Sequence, residues 1–323
     1  MNAPRSLIVT ESGPDLVPTK PDFEGTGDTL IRVSHSSVNY KDAMALEGSV
    51  GIIRTYPTVA GIDAVGEVLE SDSLTPGTLV TVNGWGIGER RHGGYTQSMR
   101  IDASRLTPVP SPFDAWTAAA IGTAGYTAAL AVAAYEKTRP DQGDLPVLVT
   151  GATGGVGSVT VQLLASRGHT VAALTGRPDE YGDYLRDLGA TEIIDRAEFE
   201  HPGKPLQKIR FAGALDAIGG APLANVLASV RWGGTVTACG RAAGNEIPTT
   251  VMPFILRNVH LVGVNSVDAP REYREEAWQL LAESLDVDKL SAYTQTIDLE
   301  GVEAVGRGLL AGTGHGRTVV EVM

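Results

Sequence analysis

Three short stretches of this chain combine residue types and spacings that suit chemistry. The first, Gly151-Ala152-Thr153-Gly154-Gly155-Val156-Gly157-Ser158, follows the apolar run Val147-Leu148-Val149 and leads into a helix expected over residues 159–167, closed by Gly168. A strand, a glycine-rich turn and a helix in that order form the phosphate-binding half of a dinucleotide fold. Gly154 and Gly155 let the backbone approach a pyrophosphate, whose charge then sits among the unpaired N–H groups of the helix N-terminus. Gly157 leaves room for that helix to pack on its strand. Ala152 stands where the usual pattern has its first glycine, so the surroundings must carry the reading. The second stretch, Thr175-Gly176-Arg177, ends the next apolar strand. An NAD site usually has Asp or Glu there to hold the ribose 2′-hydroxyl. A guanidinium suits a 2′-phosphate instead, through charge-assisted hydrogen bonds worth about 1.5–3 kcal/mol each. The expected cofactor is NADPH. The third stretch is Asn39-Tyr40-Lys41-Asp42. Its phenol can donate a hydrogen bond or a proton and its amide can donate a hydrogen bond. Asp42 can orient Asn39 or Lys41, or serve only as an acid in the first turn of a helix.

No metal site accompanies these stretches. The one cysteine, Cys239, lies in an apolar run and reads as a small buried hydrophobe. His35, His92, His169, His201, His260 and His315 are scattered without ligand spacing. A nicotinamide enzyme without a Lewis acid needs a substrate that accepts hydride unaided. A conjugated carbonyl does: hydride adds at the β carbon and charge moves to the carbonyl oxygen as an enolate. The protein must hold that oxyanion, exclude water and protonate the α carbon. Tyr40 and Asn39 are the candidate donors. The net charge of −12 argues against a nucleic-acid partner and means that an anionic substrate must be met by locally placed arginines.

The elements that position these residues follow from pattern. Residues 1–115 alternate short strand-like runs (30–33, 65–69, 79–82, 95–99) with turn signals such as Thr75-Pro76-Gly77, giving a β-rich domain in which residues 39–46 start a short helix. Residues 116–260 alternate strands and helices, the rhythm of a doubly wound parallel sheet: strands 147–149, 170–175, 192–195, 214–218 and 234–239, with 260–264 as the sixth. Helices are expected at 181–188 and 222–230. Residues 261–323 hold two helical stretches, 271–283 and 299–310, and a final strand, 318–322. That segment is too short for a third domain and is expected to return to the first. Residues 115–135 carry no charge, but their Ala, Gly and Thr content fits a buried helix better than a membrane span. Residues 1–6 lead into no apolar leader.

With these residues assembled, the chain resembles the medium-chain dehydrogenase/reductase superfamily, in its zinc-independent, quinone-oxidoreductase-like branch that contains bacterial acrylyl-CoA reductases. The resemblance rests on Ser37-Val38-Asn39-Tyr40-Lys41-Asp42, Gly61-Ile62-Asp63, Gly84-Trp85-Gly86, residues 121–128, the glycine turn, residues 248–258 and Gly316-Arg317-Thr318. It implies a GroES-like β-rich catalytic domain plus a Rossmann domain, with the active site in the cleft between them. Zinc-dependent relatives have a His-Glu pair where this chain has Ile62-Asp63.

The resemblance also implies site residues. Tyr40 lies beside the nicotinamide, Thr153 to Val156 hold the pyrophosphate, and Thr175, Gly176 and Arg177 the 2′-phosphate. Arg196 closes over the adenosine phosphate, and Ile255 and Ser266 line the nicotinamide end. Arg241 matches a further cofactor contact, although relatives have Leu there. In the loop 84–94, Arg90-Arg91-His92 replaces the expected Asn-His-Trp. Trp85 and Arg91 are candidate substrate contacts, and Arg317 a possible substrate anchor. The function expected is NADPH-dependent reduction of an α,β-unsaturated acyl-CoA, with acrylyl-CoA to propanoyl-CoA leading. Alternatives are an NADPH-dependent quinone or enone reductase and a non-catalytic NADPH-binding protein. A cytoplasmic homodimer, joined near the last Rossmann strand, is the assembly implied, with no membrane partner.

Overall fold

The computed structural model describes residues 4–138 and 143–323. The leaderless start expected from residues 1–6 therefore lies partly outside the described residues. In chain order the first elements are β1 (Arg5–Thr10), β2 (Gly13–Pro18), β3 (Thr29–Ser37), α1 (Tyr40–Leu46), β4 (Thr58–Val59), β5 (Asp63–Glu70), β6 (Leu79–Asn83), β7 (Ser98–Ile101), β8 (Thr107–Pro108) and α2 (Ala115–Thr138). An alternating set follows: β9 (Val147–Thr150), α3 (Gly155–Ser166), β10 (Val171–Thr175), α4 (Pro178–Leu188), β11 (Glu192–Asp195), β12 (Gly213–Asp216), α5 (Gly220–Ser229), β13 (Thr235–Ala238), α6 (Met252–Arg257) and β14 (His260–Gly263). The chain ends with α7 (Arg271–Ser284), α8 (Val287–Ala292), β15 (Thr294–Ile297), α9 (Val302–Leu310) and β16 (Arg317–Glu321). Met1–Tyr126, Ser266–Ala282 and Leu290–Met323 form one compact unit, and Thr127–Asn265 with Glu283–Lys289 form a second.

The first unit is built on a sheet ordered β15-β16-β3-β5-β6-β8, with β7 also pairing β3. Along β3 the alternating residues Ile31 and Val33 enter a core with Leu7, Val68, Val80, Val82, Met99 and Val320, as a half-buried strand requires. The two neighbours of β3 fix the chemistry at its end. β16 lies antiparallel to it with Val319 opposite Ser37, and β5 lies antiparallel on its other side with Val65 opposite His35. Asp63 at the head of β5 and Arg317 at the head of β16 thereby reach the same end of β3.

The second unit is a six-stranded, all-parallel sheet ordered β11-β10-β9-β12-β13-β14. That is the doubly wound Rossmann order, whose direction reverses between β9 and β12. Every residue of β9 and β10 is buried, as strands covered on both faces must be.

Several expected boundaries move for local reasons. α3 begins at Gly155, four residues before Val159, because residues 155–158 are already helical although they show no apolar period. α4 begins at Pro178, whose fixed φ suits the first turn, and ends at the left-handed Gly189. Tyr95 precedes its strand: its N–H goes to Ala60 O and its carbonyl takes Leu7 N–H, so the ladder starts only at Ser98. α2 is long and apolar enough to cross a membrane, but 94% of its most apolar window is buried within the protein. Gly122 (φ 49°, ψ −160°) breaks it into two helical pieces.

Candidate active site

The candidate site residues fall in both units, and each set is described where it lies. In the second unit, β9 delivers the chain to Gly151, which takes φ 60°, and Gly154 then caps α3. No side chain caps that helix, so its first N–H groups remain available to an anion. A side chain at Gly157 would place Cβ 2.3 Å from Gly151 O, so only glycine lets helix and turn approach this closely. The next strand, β10, ends at buried Thr175, whose Oγ1 accepts the Arg177 N–H at 3.2 Å. Gly176 is exposed, and a Cβ there would lie 3.0 Å from the Arg196 guanidinium carbon. Two guanidiniums therefore adjoin the turn, where an NAD site would carry a carboxylate. Each has an acidic neighbour: Glu180 lies 3.9 Å from Arg177 and Glu200 2.8 Å from Arg196.

At the direction reversal, Thr150 Oγ1 donates to Asp216 Oδ1 at 2.7 Å and accepts the Ala217 N–H, and Asp216 Oδ2 takes the Gly219 N–H. These bonds tie the ends of β9 and β12 together. Burial raises the Asp216 pKa, with the hydrogen bonds from Thr150 and Gly219 opposing it. Arg241 follows β13, exposed and bonded to Asn245, with its backbone against Gly219. Ile255 projects from α6 and is exposed.

In the first unit, Asn39, Tyr40 and Asp42 start α1. The Asp42 carboxylate takes the Asn39 N–H at 2.9 Å and the Ile62 N–H at 2.8 Å. Beneath them lies a buried ionic cluster. Asp63 accepts from Ser37 N and Oγ, Asn39 Nδ2 and Thr123 N, all at 2.8–3.0 Å. Arg317 donates to Ala120 O and Ser37 Oγ, both at 2.7 Å, and to Asn39 Oδ1 at 3.3 Å. The Ser37 hydroxyl thus bridges guanidinium and carboxylate. Gly122 closes the cluster: a Cβ there would meet Ser37 Oγ at 2.5 Å and Arg317 Nη2 at 2.7 Å. Burial, then the charge of Asp63, pushes the Asp42 pKa up to about 7. Burial pulls the Arg317 pKa down, while Asp63 and Asp42 pull it back up.

This geometry corrects two expectations, those for Arg317 and Asn39. Arg317 is no substrate anchor, because it is buried and its guanidinium is spent on protein oxygens. Asn39 does not offer its amide to an oxyanion: Nδ2 is held by Asp63 and Asp42. Asp42 is buried and bonds to Asn39, one of the two partners expected of it, while Lys41 pairs with Glu89 at 2.9 Å. Tyr40 differs from its neighbours. It is 44% exposed, so it is not a core tyrosine, and its hydroxyl has no partner among the described residues.

Trp85 takes the left-handed φ of 55° and donates its backbone N–H to Val267 O. Its indole lies 4.2 Å from the buried Arg274 guanidinium, which also donates to Asn83 O, Ser266 O and Val267 O. Arg274 therefore fixes both the loop that carries Trp85 and the turn that carries Ser266. Arg91 is exposed, with Nε donating to Trp85 O at 3.3 Å. His92 is structural: Nδ1 accepts the Val59 N–H.

Sequence reasoning missed Asp63, Asp216 and Arg274. Asp63 and Asp216 stand at ends of apolar strands, a polar group where a strand meets a turn, which was the available signal. Arg274 lies on an amphipathic helix among other charges and gave none.

Residues 25–111 match the alcohol dehydrogenase GroES-like domain family, and residues 155–283 match the family described as zinc-binding dehydrogenase. Among the described residues no group of three or more His, Cys, Asp or Glu is placed to hold a metal ion. The chain is 45% identical to acrylyl-CoA reductase of Ruegeria pomeroyi over 92% of this chain and 90% of that protein. It is 43% identical to the probable acrylyl-CoA reductase of Escherichia coli over 92% of this chain and 91% of that one. A solved oxidoreductase from Salmonella enterica in complex with NADP superimposes with a TM-score of 0.94 at 39% identity, covering 99% of this chain and 100% of that one. The fold and these likenesses define a two-domain oxidoreductase. The chain belongs to the medium-chain dehydrogenase/reductase superfamily, in its quinone-oxidoreductase-like branch with the acrylyl-CoA reductases.

Proposed function

We propose that this protein is an NADPH-dependent reductase of an α,β-unsaturated acyl-CoA, with acrylyl-CoA as substrate and propanoyl-CoA as product. The observation that carries the cofactor is the pair of guanidiniums, Arg177 and Arg196, beside Gly176. The substrate rests on the relatives, two of which are named as acrylyl-CoA reductases. The uncapped first turn of α3 would hold the pyrophosphate, with Thr153 to Val156 providing backbone, and Arg177 and Arg196 would hold the 2′-phosphate. Bound there, the reduced nicotinamide supplies a hydride for the β carbon of the conjugated thioester.

The chain's own part is then to manage charge and proton. Tyr40 has an uncommitted hydroxyl and donates to the thioester oxygen as it becomes an enolate oxygen, or delivers the proton to the α carbon. Asn39, Asp42, Asp63 and Arg317 hold the start of α1 so that Tyr40 keeps its place. The same reading makes the protein a cytoplasmic homodimer. In its support, β14 is an edge strand with exposed Leu261, next to exposed Val251, Ile255 and Leu256, a surface suited to a second copy.

The test is NADPH consumption by the purified protein with acrylyl-CoA and with a free quinone. The proposal expects turnover well in favour of acrylyl-CoA. Equal or quinone-favoured turnover would support a general quinone or enone reductase. Nucleotide binding without oxidation across both substrates would leave a non-catalytic NADPH-binding protein.

A further inference from the structure

We propose that Tyr181 is a specificity-determining residue for the nucleotide: it holds the Arg177 guanidinium ready for a 2′-phosphate and so sets how strongly the protein prefers NADPH to NADH. The inference rests on the reading of Thr175 to Arg177 as the 2′-phosphate site and goes beyond it to a residue outside the motif.

The geometry is that of one helix face. Arg177 is the N-cap of α4 and Tyr181 lies four residues on, so the two side chains meet across the first turn. The guanidinium carbon lies 4.4 Å from the Tyr181 ring centroid, and Nη1 donates to the phenol oxygen at 3.3 Å. The ring is itself held. Tyr184, buried one turn further along, meets it edge to face at 6.2 Å between centroids. The phenol pKa is raised by partial burial and by a hydrogen bond with Glu180, against the pull of Arg177.

An arginine on a solvated turn must give up its rotamer freedom when it grips a phosphate, and that loss is subtracted from the affinity. Arg177 has already given it up to the Tyr181 ring. Glu180 sits 3.9 Å from the same guanidinium with its side chain 59% exposed, so it balances the charge in the absence of nucleotide yet can yield to a doubly charged phosphate. NADH has no group to collect this advantage, so Tyr181 should act on one nucleotide and not on the other.

Fluorescence titration of the full-length protein with NADPH and with NADH tests this, using Tyr181→Ala, Tyr181→Phe and Arg177→Ala. Tyr181→Ala is expected to weaken NADPH binding about two- to fivefold with NADH unchanged, and Tyr181→Phe to stay close to wild type because the ring remains. Arg177→Ala is expected to weaken NADPH binding about tenfold. The proposal is overturned if Tyr181→Ala leaves the ratio of the two dissociation constants at the wild-type value while Arg177→Ala lowers it. It is also overturned if Tyr181→Ala weakens both nucleotides alike, the mark of a merely structural residue, or if Tyr181→Phe loses as much as Tyr181→Ala. If Arg177→Ala itself leaves the ratio unchanged, the underlying 2′-phosphate assignment fails with it.

Discussion

The Thr175-Gly176-Arg177 turn of the second unit and the base of α1 in the first place charge in opposite ways. At Thr175 to Arg177 the guanidiniums are partly exposed, each has one acidic neighbour, and the backbone N–H groups of α3 stand uncapped. Around Asp63 and Arg317 the charges are buried and every donor and acceptor named above has a protein partner. The first arrangement leaves partly exposed charge and uncapped N–H groups at the surface. The second spends them on the fold and fixes the start of α1, where Tyr40 is exposed. Substitutions should therefore separate function from stability at the turn and at exposed Tyr40, and fail to separate them in the buried cluster beneath α1.

The largest expected effect is at Asp63. Asp63→Ala removes the larger of the two carboxylate charges acting on buried Arg317 and should cost about 3–5 kcal/mol, read as a fall in the urea midpoint. An unchanged midpoint would break the contrast. Next comes Tyr40→Phe, which touches nothing in the cluster. It should lower kcat by about a hundredfold while the urea midpoint stays at wild type. Full activity would reduce Tyr40 to packing.

The pH dependence of stability should follow Asp42. Its folded pKa of about 7 lies above the ordinary 3.8, so the folded state binds that proton more tightly than the unfolded state. The stability it confers is complete below the unfolded value and is lost as pH rises through the folded one. The slope is at most about 1.4 kcal/mol per pH unit. Asp42→Asn should remove this decline between pH 4 and 7 (approximate limits), and denaturation across that range, variant against wild type, checks it. The smallest effect on the fold belongs to Arg177→Ala. It should raise the NADPH Michaelis constant about tenfold, spare NADH and leave the urea midpoint in place.

The same contrast explains what could be read from the chain. The glycine turn and the sixth strand were legible because a strand, a turn and a helix leave a local pattern that needs no knowledge of distant partners. The short helix from Asn39 was legible for the same reason, through the carboxylate three residues into it. Arg317 was misread as a substrate anchor because its partners, Ser37, Ala120 and Asn39, come from β3, α2 and α1. The register of β16 against β3, with α2 packed beside them, brings them together. Asn39 was misread likewise, since its amide looks available until Asp63 is placed beneath it. Helix α6 was missed because Met252–Arg257 is short and Met252, Ile255 and Leu256 are exposed, so no amphipathic period marks it.

The most direct measurement of the central claim is where the hydride goes. Acrylyl-CoA reduced with NADPH carrying deuterium at the transferable position of its nicotinamide should give propanoyl-CoA with one deuterium on the β carbon, and with the α-carbon hydrogen drawn from solvent. Product without deuterium at the β carbon, or label on the α carbon instead, would contradict the account.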